Sequence, residues 1–188
     1  MLFRSAHLIP NEGDVVIQLR HGASFGTGSH PTTRMALQGM EQALKCIDLN
    51  RKGESAALDV GTGSGVLGIA AIGLGLGRVV GLDIDACALN EARENARING
   101  IRDRFELRNA CMETMEGDFD LILANLRLPT LNQILPHLSR VARRPCAIVI
   151  SGLKTDEVLD LKDMFNLYSW KPIWECTEKG WAAVVFRG

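Results

Sequence analysis

From position 56 onward, short apolar runs alternate with longer amphipathic stretches. The runs at 56–60, 78–83, 105–108, 119–124 and 146–151 have the length of buried strands, and helical spacing fills about 64–74, 86–98, 128–141 and 154–165 between them. Strands separated by helices imply right-handed βαβ crossovers and a mostly parallel sheet covered on both faces. The stretch 168–186 differs: two strand-like runs surround 175–180 with no helix between them, which predicts a terminal hairpin. Ahead of the alternation, Pro31 suits the first turn of a helix, and Leu37, Met40, Leu44 and Ile47 continue it to about Cys46, followed by a polar turn at 50–55. Residues 1–28 read as a lead-in, with one strand-like run at 15–19 and the glycine-rich Gly26-Thr27-Gly28. The expected fold class is α/β, a doubly wound Rossmann-like sheet forming one domain over 29–188.

Composition narrows the function. A chain of 188 residues with 46% apolar and 23% charged residues suits one globular domain with a full core. The formal charge of −1 supplies no overall field for nucleic acid or an anionic membrane. Five cysteines, odd in number and never paired as C-x-x-C, suggest neither a disulfide framework nor a zinc site, so no metal is expected. The opening residues lack a signal-peptide pattern and no run is long enough to span a membrane, which together point to the cytoplasm.

The chemistry concentrates at Gly61-Thr62-Gly63-Ser64-Gly65, which ends the run 56–60 and opens a small-residue helix. Glycines there allow a sharp turn and let a ligand lie against the main chain, while the helix N-terminus offers free N–H groups. The next strand ends in Asp83, twenty residues after Gly63, the spacing at which an acid accepts the hydroxyls of an adenosine ribose. Asp85 reads as a helix cap. A dinucleotide fingerprint would need Gly or Ala where Val66 stands, and Asp59 beside the loop would repel a pyrophosphate but could hold an amino acid's ammonium. S-adenosylmethionine is favoured over NAD.

Three segments carry a family likeness: Phe25-Gly26-Thr27-Gly28-Ser29-His30-Pro31-Thr32-Thr33; residues 59–67 with 80–85 and 91–100; and Ala124-Asn125-Leu126 with Pro129 and Leu131. In these the chain resembles the class I methyltransferases and, within them, the PrmA family, which methylates ribosomal protein L-eleven. The resemblance implies a seven-stranded sheet with an antiparallel last pair. It also implies cofactor contacts at Thr33, Gly61, Asp83 and Asn125, beside the loop glycines Gly63 and Gly65 already read as cofactor-binding, with Phe25, Gly26 and Thr27 closing over the methionine end and Ala110 and Cys111 near adenine. PrmA enzymes carry a further amino-terminal domain that grips the ribosomal protein. Because only some 24 residues precede the signature here, that grip is expected to be absent or differently supplied.

Methyl transfer from a sulfonium requires alignment and exclusion of water rather than a metal or covalent nucleophile. An amine acceptor must arrive uncharged, and the Asn125 carbonyl could accept its hydrogen. His30 is a candidate proton acceptor, with a helix cap as the plainer role. Trp170, Trp174 and Trp181 are expected to cover the sheet, their N–H groups finding partners at its rim. The favoured function is methylation of a protein lysine or N-terminal amine, with a ribosomal protein as the substrate type. A small-molecule amine methyltransferase and a cofactor-binding subunit dependent on a partner are the alternatives.

Overall fold

The computed structural model describes residues 14–20, 28–48 and 54–188. Helix α1 (Pro31–Leu44) precedes β1 (Ala56–Val60), α2 (Val66–Gly73), β2 (Arg78–Asp83), α3 (Ala86–Ile98) and β3 (Phe105–Asn109). Then follow β4 (Phe119–Asn125), α4 (Leu128–Val141), β5 (Ala142–Lys154), α5 (Val158–Asn166), β6 (Lys171–Glu178) and β7 (Trp181–Arg187). Short 3-10 turns precede β3, β4 and α5. The seven strands lie in the order β3-β2-β1-β4-β5-β7-β6. The first five are parallel, and β7 runs antiparallel between β5 and β6.

Strand periodicity divides the core into two halves. Leu58, Ile122, Ile148 and Val184 face Leu131, Leu135 and Leu138 of α4 and Leu161 and Phe165 of α5. Their neighbours Ala57, Leu121, Leu123 and Val149 face Leu37 and Met40 of α1 and Ile69 and Ile72 of α2. Side chains alternate across a strand, so runs apolar at every position are buried on both faces.

The structure matches the expected βα alternation and the terminal hairpin, whose two-residue turn places both Lys179 and Gly180 at positive φ. It corrects the lead-in, because 14–20 contains no strand. The main chain there is tied by side chains: Gln18 exchanges two hydrogen bonds with the Asn99 amide (2.9 and 2.7 Å), and the Arg20 N–H donates to Asn95 Oδ1 (2.9 Å). With α3 amides as partners, this segment joins no sheet edge. Strand β5 begins four residues earlier than expected, at Ala142, and Trp170 is fully buried with its Nε1 donating to Ser139 Oγ (2.8 Å).

Candidate cofactor and acceptor site

The site lies at the carboxyl ends of β1, β2 and β4, where the strand order changes direction between β1 and β4. Crevices at such points are where open α/β sheets bind ligands.

Within the loop after β1, Gly61, Gly63 and Gly65 adopt φ of 69°, 54° and 81°. Every second residue is thus left-handed, a conformation that would cost an L-residue roughly 1–2 kcal/mol each. The Thr62 N–H donates to the Leu82 carbonyl (2.9 Å), and the Gly63 N–H donates to Asp83 Oδ2 (2.9 Å). Asp83 Oδ1 accepts from the Asp85 N–H (3.0 Å), and Asp85 caps α3 by accepting from Cys87 (2.8 Å). One acid therefore shapes the loop and the β2 terminus together. Asn109 reinforces that terminus by donating to the carbonyls of Asp83 (3.0 Å) and Ile84 (3.1 Å). Ala110 and Cys111 leave β3 directly beyond it, the first partly buried and the second exposed. Ile84 is 81% exposed beside Asp83, an apolar surface that the sequence reading did not single out.

Asp59 lies beneath the loop, 1% exposed, with Oδ2 accepting from Thr62 Oγ1 (2.6 Å) and from the Gly68 N–H (3.1 Å). It braces the turn from within. Burial pushes its carboxyl up to about 6, the two hydrogen bonds oppose that rise, and the nearby Asp83 carboxylate adds to it. Asn95, fully buried on α3, donates to the Ser64 carbonyl (2.8 Å) and so connects the loop to the lead-in through Arg20.

A small open cleft is lined by Thr33, Gly61, Thr62, Gly63, Val66, Leu67 and Asn125. Thr33 Oγ1 and Asn125 Oδ1 are both buried without a hydrogen-bond partner among the described residues. Such atoms are costly unless a ligand completes them. Their surroundings are fixed by contacts that span the chain. Ser151 Oγ, at the end of β5, donates to the Thr32 carbonyl (2.8 Å) and holds α1 against the sheet. At Gly152, with φ 87°, a Cβ would lie 2.9 Å from Asn125 Oδ1 and 2.7 Å from the Leu126 carbonyl, so only glycine lets the Asn125–Leu126 turn pass. Neither residue was identified from sequence.

His30 caps α1, its Nδ1 accepting from the Thr32 N–H (3.3 Å), and its ring meets Trp181 edge-on at 5.3 Å. The structure thus gathers Thr33, Gly61, Gly63 and Asn125 around one cleft and ties Asp83 to its floor. Phe25, Gly26 and Thr27 fall outside the described residues.

The donors present fit S-adenosylmethionine: a carboxylate beside a glycine cradle, an exposed apolar residue next to that carboxylate, and two unsatisfied oxygens across the cleft. Sheet order, terminal antiparallel pair and cleft position define the methyltransferase fold. Among solved structures of that fold is an RNA methyltransferase from Salinibacter ruber in complex with S-adenosyl-L-homocysteine (TM-score 0.62, 20% identity, covering 82% of this chain and 90% of that one). More particularly, the chain belongs to the PrmA family, whose sequence model, described as Ribosomal protein L11 methyltransferase (PrmA), matches residues 2–188. The chain is similar to the ribosomal protein L11 methyltransferases of Pelobacter propionicus (35% identical over 178 residues) and Citrifermentans bemidjiense (36% over 177). It is covered to 95% and 94% by these matches but spans only 57% and 56% of those proteins' lengths. The crystal structure of a ribosomal protein L11 methylase from Lactobacillus delbrueckii subsp. bulgaricus superposes with a TM-score of 0.81 at 29% identity, covering 90% of this chain and 83% of that one.

Proposed function

We propose that this chain is the catalytic unit of an S-adenosylmethionine-dependent protein N-methyltransferase acting on a lysine or N-terminal amine of a ribosomal protein. The observation that carries the reading is the pair of buried oxygens, Thr33 Oγ1 and Asn125 Oδ1, which have no partner among the described residues and line the same cleft as the glycine loop. In this reading Asp83 takes the ribose hydroxyls, Ile84 lies under adenine with Ala110 and Cys111 nearby, and the Gly61–Gly65 main chain receives the amino acid portion. Thr33 completes the amino acid end together with Phe25, Gly26 and Thr27. Asp59 reaches the ligand ammonium only through the loop that it braces.

The cofactor supplies an electrophilic methyl group bound to sulfonium sulfur. The chain's own task is to position the acceptor. Asn125 Oδ1 accepts an N–H of the neutral amine and aims its lone pair along the line of displacement, while Gly152 and Leu126 fix the amide plane. His30 is held as a helix cap through Nδ1, which suits it to positioning the acceptor side more than to taking up the proton.

The cytoplasm is the compartment this substrate implies, and among the described residues no helix is long and apolar enough to cross a membrane. The test combines calorimetric titration of S-adenosylhomocysteine with incubation of the chain, labelled S-adenosylmethionine and purified ribosomal protein. Mass increments of one or more methyl groups on the protein support the proposal. Label appearing in the small-molecule fraction of a lysate would replace the acceptor, and binding without turnover would point to a subunit that needs a partner.

A further inference from the structure

A cationic rim stands beside the Asn125 end of the cleft, and cofactor binding does not account for it. Its centre is Trp181, half-buried at the start of β7. Lys154 Nζ lies over the indole at 3.7 Å from the ring centre, and Arg127 Cζ lies over it at 5.5 Å, so the two charges are no more than about 9 Å apart. His30 closes a further side edge-on.

Each of these residues adjoins the acceptor end of the site. Arg127 follows Asn125 by two residues and heads α4. Lys154 follows Gly152, which abuts the Asn125 amide, and pairs with Trp181 across β5 and β7. His30, at the N-terminus of α1, reaches the rim through its edge-on contact with Trp181. Asp83 is tied to Gly63, on the opposite wall.

Among the described residues neither Arg127 nor Lys154 forms an ion pair. Glu178, across the hairpin from Trp181, is engaged by Arg34, and Glu157 accepts the Lys154 main-chain N–H (2.7 Å). Outside the described residues the sequence holds a single carboxylate, Glu12. Two cations share one ring with no carboxylate paired to either among the described residues, and an anion brought up to this rim is attracted by both. Packing alone would be served by neutral side chains.

We infer that the rim formed by Arg127, Lys154 and Trp181 recognises a carboxylate on the protein acceptor, an acidic side chain next to the amine to be methylated. The inference rests on the methyl-transfer reading for which end of the cleft faces the acceptor. It adds a selection rule: acceptor amines in acidic sequence surroundings are preferred. The same cations disfavour a protonated amine close by, so the carboxylate is the part of the acceptor they hold, while Asn125 receives the neutral nitrogen.

The experiment measures binding rather than turnover. Two short synthetic peptides, identical except that one lysine is flanked by glutamates in the first and glutamines in the second, are titrated into the chain saturated with S-adenosylhomocysteine. Calorimetry and intrinsic tryptophan fluorescence serve as readouts, the Trp181 contribution being taken from the difference from a Trp181→Phe chain. The glutamate peptide is expected to bind about tenfold more tightly, with a preference that shrinks as salt rises. Arg127→Leu/Lys154→Met should abolish the preference while leaving S-adenosylhomocysteine affinity intact. Arg127→Gln, at an exposed position that cannot unfold the core, should reduce it on its own. Equal affinity for the two peptides, binding of neither, or a preference that survives in the double variant would overturn the inference. Failure of S-adenosylhomocysteine to bind at all would instead strike the methyl-transfer reading, so the two failures are told apart.

Discussion

Replacing Asp83 by alanine tests the cofactor assignment most directly. The carboxylate already accepts from Gly63 and Asp85 main-chain N–H groups, one on each oxygen. A carboxylate has about four acceptor positions, so one on each oxygen stays open for the two ribose hydroxyls. Hydrogen bonds to a charged group contribute about 1.5–3 kcal/mol each. Losing two should weaken S-adenosylmethionine and S-adenosylhomocysteine binding by about 3–6 kcal/mol, at least a hundredfold in Kd. The stability cost should be smaller, about 1 kcal/mol, because Asp83 is only partly buried and water can reach the freed N–H groups. Asp83→Asn should fall between, since its amide keeps one acceptor but turns a donor toward either Gly63 or Asp85. Calorimetric titration gives the affinities and thermal unfolding by circular dichroism shows whether the fold persists. A well-folded Asp83→Ala chain that binds the cofactor as tightly as the parent would refute the assignment.

Asp59 predicts a pH dependence of stability. Its folded carboxyl is raised to about 6 from 3.8, so between those values the folded chain holds more protons than the unfolded one. Stability should therefore fall as pH rises through that window, by up to about 3 kcal/mol from this group, and stay level below it. Asp59→Asn should flatten that part of the curve in urea titrations at stepped pH; an unchanged slope would remove Asp59 as its source. Gly152→Ala should destabilise the fold by about 2–4 kcal/mol, combining a left-handed backbone with contacts to Asn125 and Leu126 that cannot move apart, and should slow methyl transfer. Denaturant midpoints and single-turnover rates check both parts. Trp170→Ala, which empties a fully buried site and orphans the Ser139 hydroxyl, should cost about 3–5 kcal/mol without a specific effect on cofactor affinity, as melting followed by titration at low temperature would show.

What the sequence made legible was local. The glycine loop and Asp83 could be read because turn, ligand cradle and acid follow one another along a single βαβ unit. Strands β1, β2 and β4 could be read because burial on both faces leaves short, mostly apolar runs in which Asp59 and Asp120 are the charged interior positions. The structure-dependent features join distant positions: Ser151 meets the Thr32 carbonyl across 119 residues, and Gly152 has a purpose only once Asn125 is beside it. Residues 15–19 have the alternation of a strand, yet a strand is defined by its neighbour, and here the neighbours are the Asn95 and Asn99 amides. The start of β5 was hidden by Arg143-Arg144-Pro145, whose polarity masks an extended segment. Trp181 was expected to cover the sheet, and nothing in its sequence neighbourhood announces that Lys154 and Arg127 converge on it.

The position of β7 has a consequence for how the domain is made. That strand follows the other six along the chain, yet it fills the slot between β5 and β6 and carries Val184 and Phe186 into one half of the interior and Val185 into the other. Until it inserts, β5 stands as an open apolar edge and the cavity around Phe165 and Trp170 lacks a wall. Closure of the interior thus waits on that insertion, and a domain folded without β7 would leave that edge available for pairing with other chains.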